Sequence, residues 1–195
     1  MSRTHTLEPT LATLHGHFSR ELPPVLTIDS GDRVRFRTLA VHWGRFDSPD
    51  PFQRTPEIEG RDRERDPGHA LVGPVAIRGA RAGQTLEVRI LTVRPGGYGF
   101  VVGGGSGREW NQKVGIADEP GIANHFRLDP DANTATDSSG LVLPLRPFPG
   151  VIGMPPDLPG RHPTTPPRAC GGNIDCRELV AGSTLWLPVP VDGAL

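Results

Sequence analysis

Where hydrophobic positions along this chain follow a rhythm, the period is two. In "RVRFRT" Val34, Phe36 and Thr38 point one way while Arg33, Arg35 and Arg37 point the other, the alternation of a half-buried strand. "TLEVRILTV" puts Leu86, Val88 and Ile90 on one face, and "GSTLWLPVPV" supplies another strand close to Leu195. Val25, Leu26 and Ile28 form a short apolar run, and the turn "DSGD" separates it from the Arg-rich strand. "RAGQ" reads as a turn between two strands, and two more strands are expected around "DPDANT" and "DSSG". No segment longer than about ten residues carries a helical stripe. The pattern predicts an all-β protein, a β-sandwich or jelly roll with loops gathered at its edges.

Composition supports that reading. The 25 glycines and 22 prolines favour many turns and few long helices. An apolar fraction of 35% with a mean hydropathy of -0.33 is low, yet clear of the signature of disorder. A length of 195 residues suffices for one well-buried domain or two small ones sharing a core. We take residues 1–195 as a single domain, with the proline-broken, highly charged stretch 48–69 as an exposed loop. A net charge of -1 and a pI near 6.7 give no field that draws in nucleic acid or an anionic membrane. The expected partner is a neutral small molecule or another protein. No apolar run approaches the roughly 20 residues of a membrane span, and the N-terminal stretch lacks the apolar run of a signal peptide. A soluble, cytoplasmic protein is expected. Lys113 is the sole lysine, so the basic positions are nearly all Arg, which fits a GC-rich bacterial genome.

Several stretches can carry chemistry. His15 and His17 form an H-x-H pair; on a strand this spacing puts both imidazoles on one face, where they can share a metal. The plainer reading, which the residues by themselves favour, is that they are polar residues of an N-terminal strand. "HWGRFDSPD" offers His42, Asp47 and Asp50, either as ligands or as solvated turn residues. His69 follows a Gly turn and is expected to be structural. "VVGGGSGREW" lacks the Lys and Ser/Thr of a phosphate loop and reads as a mobile loop. The richest stretch is "RACGGNIDCREL". Gly171 and Gly172 allow close backbone approach, and their N–H groups can converge on an oxyanion. Asn173 offers a donor and an acceptor to a primary amide. Asp175 can hold a metal or position a water, and Glu178 can do the same or lie on the surface. The plainer alternative is a Gly-Gly turn with an Asx cap leading into a strand. Cys170 and Cys176 are too few for a structural zinc site and are expected as free thiols. A thiol amidase would need a base and a lysine beside its cysteine, and nothing in the sequence places Lys113 there.

Four stretches, "GHALVGPVAIRGARAGQTLEVRI", "RPFPGVIGMPP", "PPRACGGNIDCREL" and "GSTLWLPVPVDGAL", together resemble the acetamidase/formamidase family of metal-dependent amide hydrolases. "LHGHFSRELPPVLTIDSGDRVRF" adds a weaker fifth, so the resemblance runs from about Leu14 to Leu195. It implies an all-β sandwich core, hydrolysis of small aliphatic amides such as formamide or acetamide, a divalent metal, zinc by expectation, and a homo-oligomer. Gly171 to Asp175 correspond to the family's Gly-Gly-Asn-hydrophobic-Asp block at the active site. That makes Asp175 the implied metal or water ligand and Asn173 its catalytic neighbour, with His15, His17 and His42 as further metal candidates. The sequence departs from the family pattern in two places. Ala40 stands near a position where the pattern has an Asp. Family chains also continue past "GAL" into a block rich in Gly, Asp, His and Glu, so the chain is expected to match the N-terminal two-thirds of such an enzyme, with an incomplete fold. Two functions stay open: an amidohydrolase using a metal-activated water, or an inactive β-sandwich serving as an interaction or oligomerisation module.

Overall fold

The computed structural model describes residues 2–44, 57–105 and 109–195. Its strands begin with β1 (Thr4–Leu7), β2 (Leu14–His15), β3 (Leu26–Ile28) and β4 (Arg33–Phe36). β5 (Leu71–Val72), β6 (Val75–Ile77) and β7 (Thr85–Arg89) follow. Next come β8 (Tyr98–Gly103), the one-turn helix α1 (Glu109–Lys113), β9 (Ile122–Asp129), β10 (Thr134–Asp137) and β11 (Val142–Pro144). The chain closes with β12 (Val151–Gly153), β13 (Gly171–Asn173) and β14 (Thr184–Pro188). The architecture is all-β, as the alternation predicts. Among the described residues no helix is long and apolar enough to cross a membrane.

The packing divides into two compact units. The first comprises the described residues of 2–44, 57–93 and 147–195, and is built from two-stranded ladders. β1 with β4 and β3 with β6 are parallel; β2 with β5, β7 with β14 and β12 with β13 are antiparallel. The β7–β14 register sets Leu86 opposite Leu187 and Val88 opposite Leu185, so the alternating face read from the sequence meets its counterpart. Leu187 and Val189 join Met154, Cys170 and Ala194 in one apolar cluster, with Ile77, Ala80 and Leu86 packed against it. A second cluster holds Leu14, Leu39 and Trp43, lined by Ile58, Ala70 and Val72.

Two expectations change here. Val34 is half-buried as predicted, but Phe36 on the same face is 47% exposed. Among the described residues β4 pairs with β1 alone, in a two-stranded ladder. The stretch 48–69 is not simply an exposed loop either: residues 48–56 lie outside the described residues, while 57–69 carry Ile58 against the Trp43 cluster and leave Asp66 only 1% exposed.

The second unit, the described residues of 94–146, is a four-stranded antiparallel meander in the order β11-β10-β9-β8. Its turns are closed by carboxylates. Asp129 accepts the N–H groups of Asp131 and Ala132, and Asp137 accepts those of Ser139 and Leu141. The stretch "VVGGGSGREW" does not begin as a loop: Val101, Val102 and Gly103 complete β8, and a left-handed pair, Gly104 and Gly105, ends it.

Candidate functional site

In the first unit two segments far apart in sequence cross at a pair of glycines. One is His15-Gly16-His17, which leaves the end of β2; the other is Asp66-Pro67-Gly68-His69, which leads into β5. The Gly68 N–H donates to the Gly16 carbonyl at 3.0 Å. A Cβ on Gly16 would stand 2.6 Å from the Asp66 backbone, and one on Gly68 would stand 2.4 Å from the Gly16 oxygen. Only glycine lets the chains pass this closely. The consequence for chemistry is local crowding of titratable groups, with His15, His17, Asp66 and His69 all flanking one crossing.

The surroundings hold this crossing in place. The Gly16 N–H donates to the buried Asp66 carboxylate at 2.9 Å, and Arg65 donates to its other oxygen at 2.6 Å. Trp43, 1% exposed, donates its indole N–H to the Gly68 carbonyl at 2.8 Å. Arg61 lies over the Trp43 ring at 4.4 Å and donates to the Asp66 carbonyl at 2.7 Å. Thr164, fully buried, accepts the His69 N–H at 2.9 Å.

Each of the three imidazoles has its Nδ1 against an oxygen. His15 Nδ1 donates to the His17 carbonyl at 2.8 Å, which leaves the lone pair of the neutral ring on Nε2. His69 Nδ1 is 3.1 Å from the Thr164 hydroxyl. His17, 6% exposed, has Nδ1 at 3.3 Å from Asp66, within ion-pair reach but out of line for a hydrogen bond. The rings of His15 and His17 sit 6.4 Å apart, edge to face, so the H-x-H pair does meet on one side, although only His15 belongs to β2. Burial is the largest influence on His15 and lowers its pKa, against the opposing pull of its bond to the His17 carbonyl. For Asp66 burial is also the largest influence and works to raise the pKa. The Gly16 N–H, the Arg65 guanidinium and nearby His17 outweigh it, and the carboxyl is held below its usual range.

The "CGGNID" stretch lies on β13 against β12. Gly171 and Gly172 have φ of 95° and 121°, and a Cβ on Gly153 across the ladder would stand 2.4 Å from the Gly172 nitrogen. The paired glycines thus serve a tight backbone passage. The Gly171 N–H is spent on the Arg168 carbonyl at 3.0 Å, closing a turn, so it is not an oxyanion donor in this arrangement. The Asn173 side-chain amide has no hydrogen-bond partner among the described residues. Asp175 is exposed, with φ of 47°, and its N–H donates to the Gly150 carbonyl at 3.1 Å. The segment 162–168 links this stretch to the crossing. His162 bridges Phe18, Thr164 holds His69, and Arg168 donates to the Pro163 carbonyl while lying 3.8 Å from where a Gly172 Cβ would be.

His42 occupies the corner of the turn that Ala40 and Trp43 close, with the Trp43 N–H donating to Ala40 at 2.9 Å. Asp47 and Asp50 lie outside the described residues. Cys170 and Cys176 are free thiols, as expected, and burial pushes the Cys170 thiol up, away from nucleophilic use. Glu178 pairs with Arg177 and accepts the Cys176 thiol. Lys113 pairs with Glu109 on α1. Among the described residues no three His, Cys, Asp or Glu side chains converge as a metal-binding group, so Asp175 and His42 do not join His15 and His17 in one. Asp66 and Thr164 are the two site residues that sequence reasoning missed. The faint signal for Asp66 was its place in "DPGH", just ahead of a Gly that makes the closest backbone contact.

Comparison with known proteins gives one consistent result. The family model described as the Acetamidase/Formamidase family matches residues 2–162. The crystal structure of an acetamidase from Bacillus halodurans superposes with a TM-score of 0.74 at 28% identity, covering 99% of this chain and 59% of that one. A recombinant predicted acetamidase/formamidase from the thermophile Thermoanaerobacter tengcongensis gives a TM-score of 0.77 at 24% identity, with 100% and 60% covered. A gamma lactamase from Delftia acidovorans gives 0.72 at 19% identity, with 97% and 59% covered, a likeness of fold. The chain thus spans about three-fifths of the length of these structures. No curated protein matches the sequence.

Proposed function

Since the chain belongs to the acetamidase/formamidase family, we propose that it acts in the hydrolysis of short aliphatic amides, of the formamide and acetamide class, to the acid and ammonia. The observation that carries this reading is the glycine crossing that packs His15, His17 and His69 around one point, each with Nδ1 against an oxygen. An unactivated amide needs an activated water, support for the developing oxyanion and a proton for the leaving amine. His15 Nε2 is the nitrogen suited to take a proton from water, because its Nδ1 is committed to the His17 carbonyl. The uncommitted Asn173 amide is suited to the carboxamide of the substrate, and the exposed Asp175 carboxylate to holding a water beside it.

The family resemblance also implies zinc. His15 and His17 would offer it two imidazoles, but zinc sites hold at least three protein ligands, and the described residues bring no third to them. The donor set therefore does not fit the ion by itself. A metal-activated water remains part of the proposal only as the family's chemistry.

A second reading is favoured by one observation. The meander leaves Phe100, Val101, Val102 and Ile122 between 40% and 68% exposed, which suits a surface that binds another protein. The experiment that separates the two is ammonia release from formamide and acetamide by the purified chain, after dialysis against chelator and again with zinc restored. Release that falls about 100-fold or more in His15→Ala supports hydrolysis. No release from a folded chain under either condition overturns it and leaves the interaction module.

A further inference from the structure

We infer that Asp66 and Thr164 are positioning residues that orient the rings of His17 and His69 at the glycine crossing. The inference deepens the proposed hydrolytic reading and rests on it for its purpose, but its geometry stands independently. Asp66 is 1% and Thr164 0% exposed, a burial that polar side chains tolerate only when their oxygens are used. The use is the same in both cases. Asp66 takes the Gly16 N–H with the oxygen that also stands 3.3 Å from His17 Nδ1. Thr164 takes the His69 N–H with the hydroxyl oxygen that also stands 3.1 Å from His69 Nδ1. In each pair one oxygen grips a backbone N–H at the crossing and faces the Nδ1 of a ring there.

The two grips come from different parts of the chain. Asp66 is 50 residues from Gly16, and Thr164 is 95 residues from His69. A carboxylate beside Nδ1 disfavours a lone pair on that nitrogen, which favours a proton on His17 Nδ1. The His17 Nδ1 is buried with no aligned hydrogen-bond partner, so the Asp66 oxygen faces it as a charge at ion-pair distance. A carboxylate at the far nitrogen is one way proteins set which imidazole nitrogen works, and a hydroxyl there holds the ring's orientation.

The test reads the rings directly. Two-bond proton–nitrogen NMR spectra of the full chain should show His17 with its proton on Nδ1. Asp66→Asn should move His17 toward the other tautomer or a mixture. Thr164→Val should change the His69 ring signals, and Thr164→Ser, which keeps the hydroxyl, should restore them. Thermal melts of each variant identify any that fail to fold, and Thr164→Ser serves as the folded control. If Asp66→Asn and Thr164→Val fold and leave both rings unchanged, the inference is overturned whether or not the chain hydrolyses amides. If the rings change as expected and the parent chain releases no ammonia, the positioning stands and the hydrolytic reading falls. If the parent is active, each loss should appear as a fall of about 10- to 100-fold in kcat with KM little changed.

Discussion

Gly68 and Gly16 meet backbone to backbone, with the Gly68 N–H donating to the Gly16 carbonyl at 3.0 Å. The contact has no room for a methyl group, since a Cβ on Gly68 would also stand 2.5 Å from the buried Thr164 hydroxyl. Both obstacles are fixed: one is backbone and the other is a side chain held by His69. Gly68→Ala is therefore expected to destabilise the chain by about 1–3 kcal/mol, as overpacking does, or to prevent folding. Urea unfolding measures it. An unchanged midpoint would mean that the segments can separate without loss, and that the crossing does not hold the histidines together.

Asp32 gives a prediction about acid. Its carboxylate accepts the Arg3 N–H at 2.7 Å, the His5 ring nitrogen at 3.1 Å and the Asp29 N–H at 3.2 Å, and these bonds lower its pKa to about 2. An unfolded Asp titrates near 3.9. A carboxyl whose folded pKa is depressed stabilises the protein above the unfolded value and loses that contribution as pH falls through the folded one. The parent chain should therefore lose stability between about pH 4 and pH 2 more steeply than Asp32→Asn. Thermal melts across that range would show it, and parallel curves for the two proteins would refute the assignment.

The cysteines should be dispensable for hydrolysis. Cys170 is packed in the apolar cluster with its thiol pushed up by burial, and although the Cys176 thiol donates to the Glu178 carboxylate, the sole lysine, Lys113, is paired with Glu109 on α1. A Cys170→Ala, Cys176→Ser chain should keep any ammonia release within about threefold of the parent. Loss of turnover in a folded double variant would restore the thiol mechanism.

The meander predicts self-association. Among the described residues β8 is the last strand of its sheet, and its Val101 and Val102 are 64% and 65% exposed, apolar side chains that suit contact with another chain. Sedimentation of the purified chain should show a dimer or larger species. The changes Val101→Lys and Val102→Glu should shift it toward monomer. A monodisperse parent monomer would count against the idea.

How much of this was legible in sequence depended on whether a residue's role was local. The face of Leu86 and Val88 could be read because strand alternation is set by neighbours along the chain, and its mate Leu187 lay in an equally regular strand. The turns at Asp129 and Asp137 were legible for the same reason. Phe36 sat in a pattern just as regular, yet ended exposed, because burial depends on whether a second layer arrives. Asp66 was hidden among the charges of "RDRERD", where nothing distinguishes the one carboxylate that is enclosed from those that are solvated. His15 and His17 were readable as a pair, whereas the oxygens that face the rings of His17 and His69 come from remote contacts.

The pairing of distant segments also governs when the site can exist. Asp66 reaches back 50 residues, His69 waits for Thr164 95 residues ahead, and β7 pairs only when β14 has been made. During synthesis the nascent chain therefore carries His17 without Asp66, and then His69 without Thr164, until those residues have been made. Contacts so far apart must close long loops before they stabilise anything, which makes folding slow and late. The exposed interval is a window in which unpaired strands can meet those of neighbouring chains, a route to aggregation that the finished fold closes.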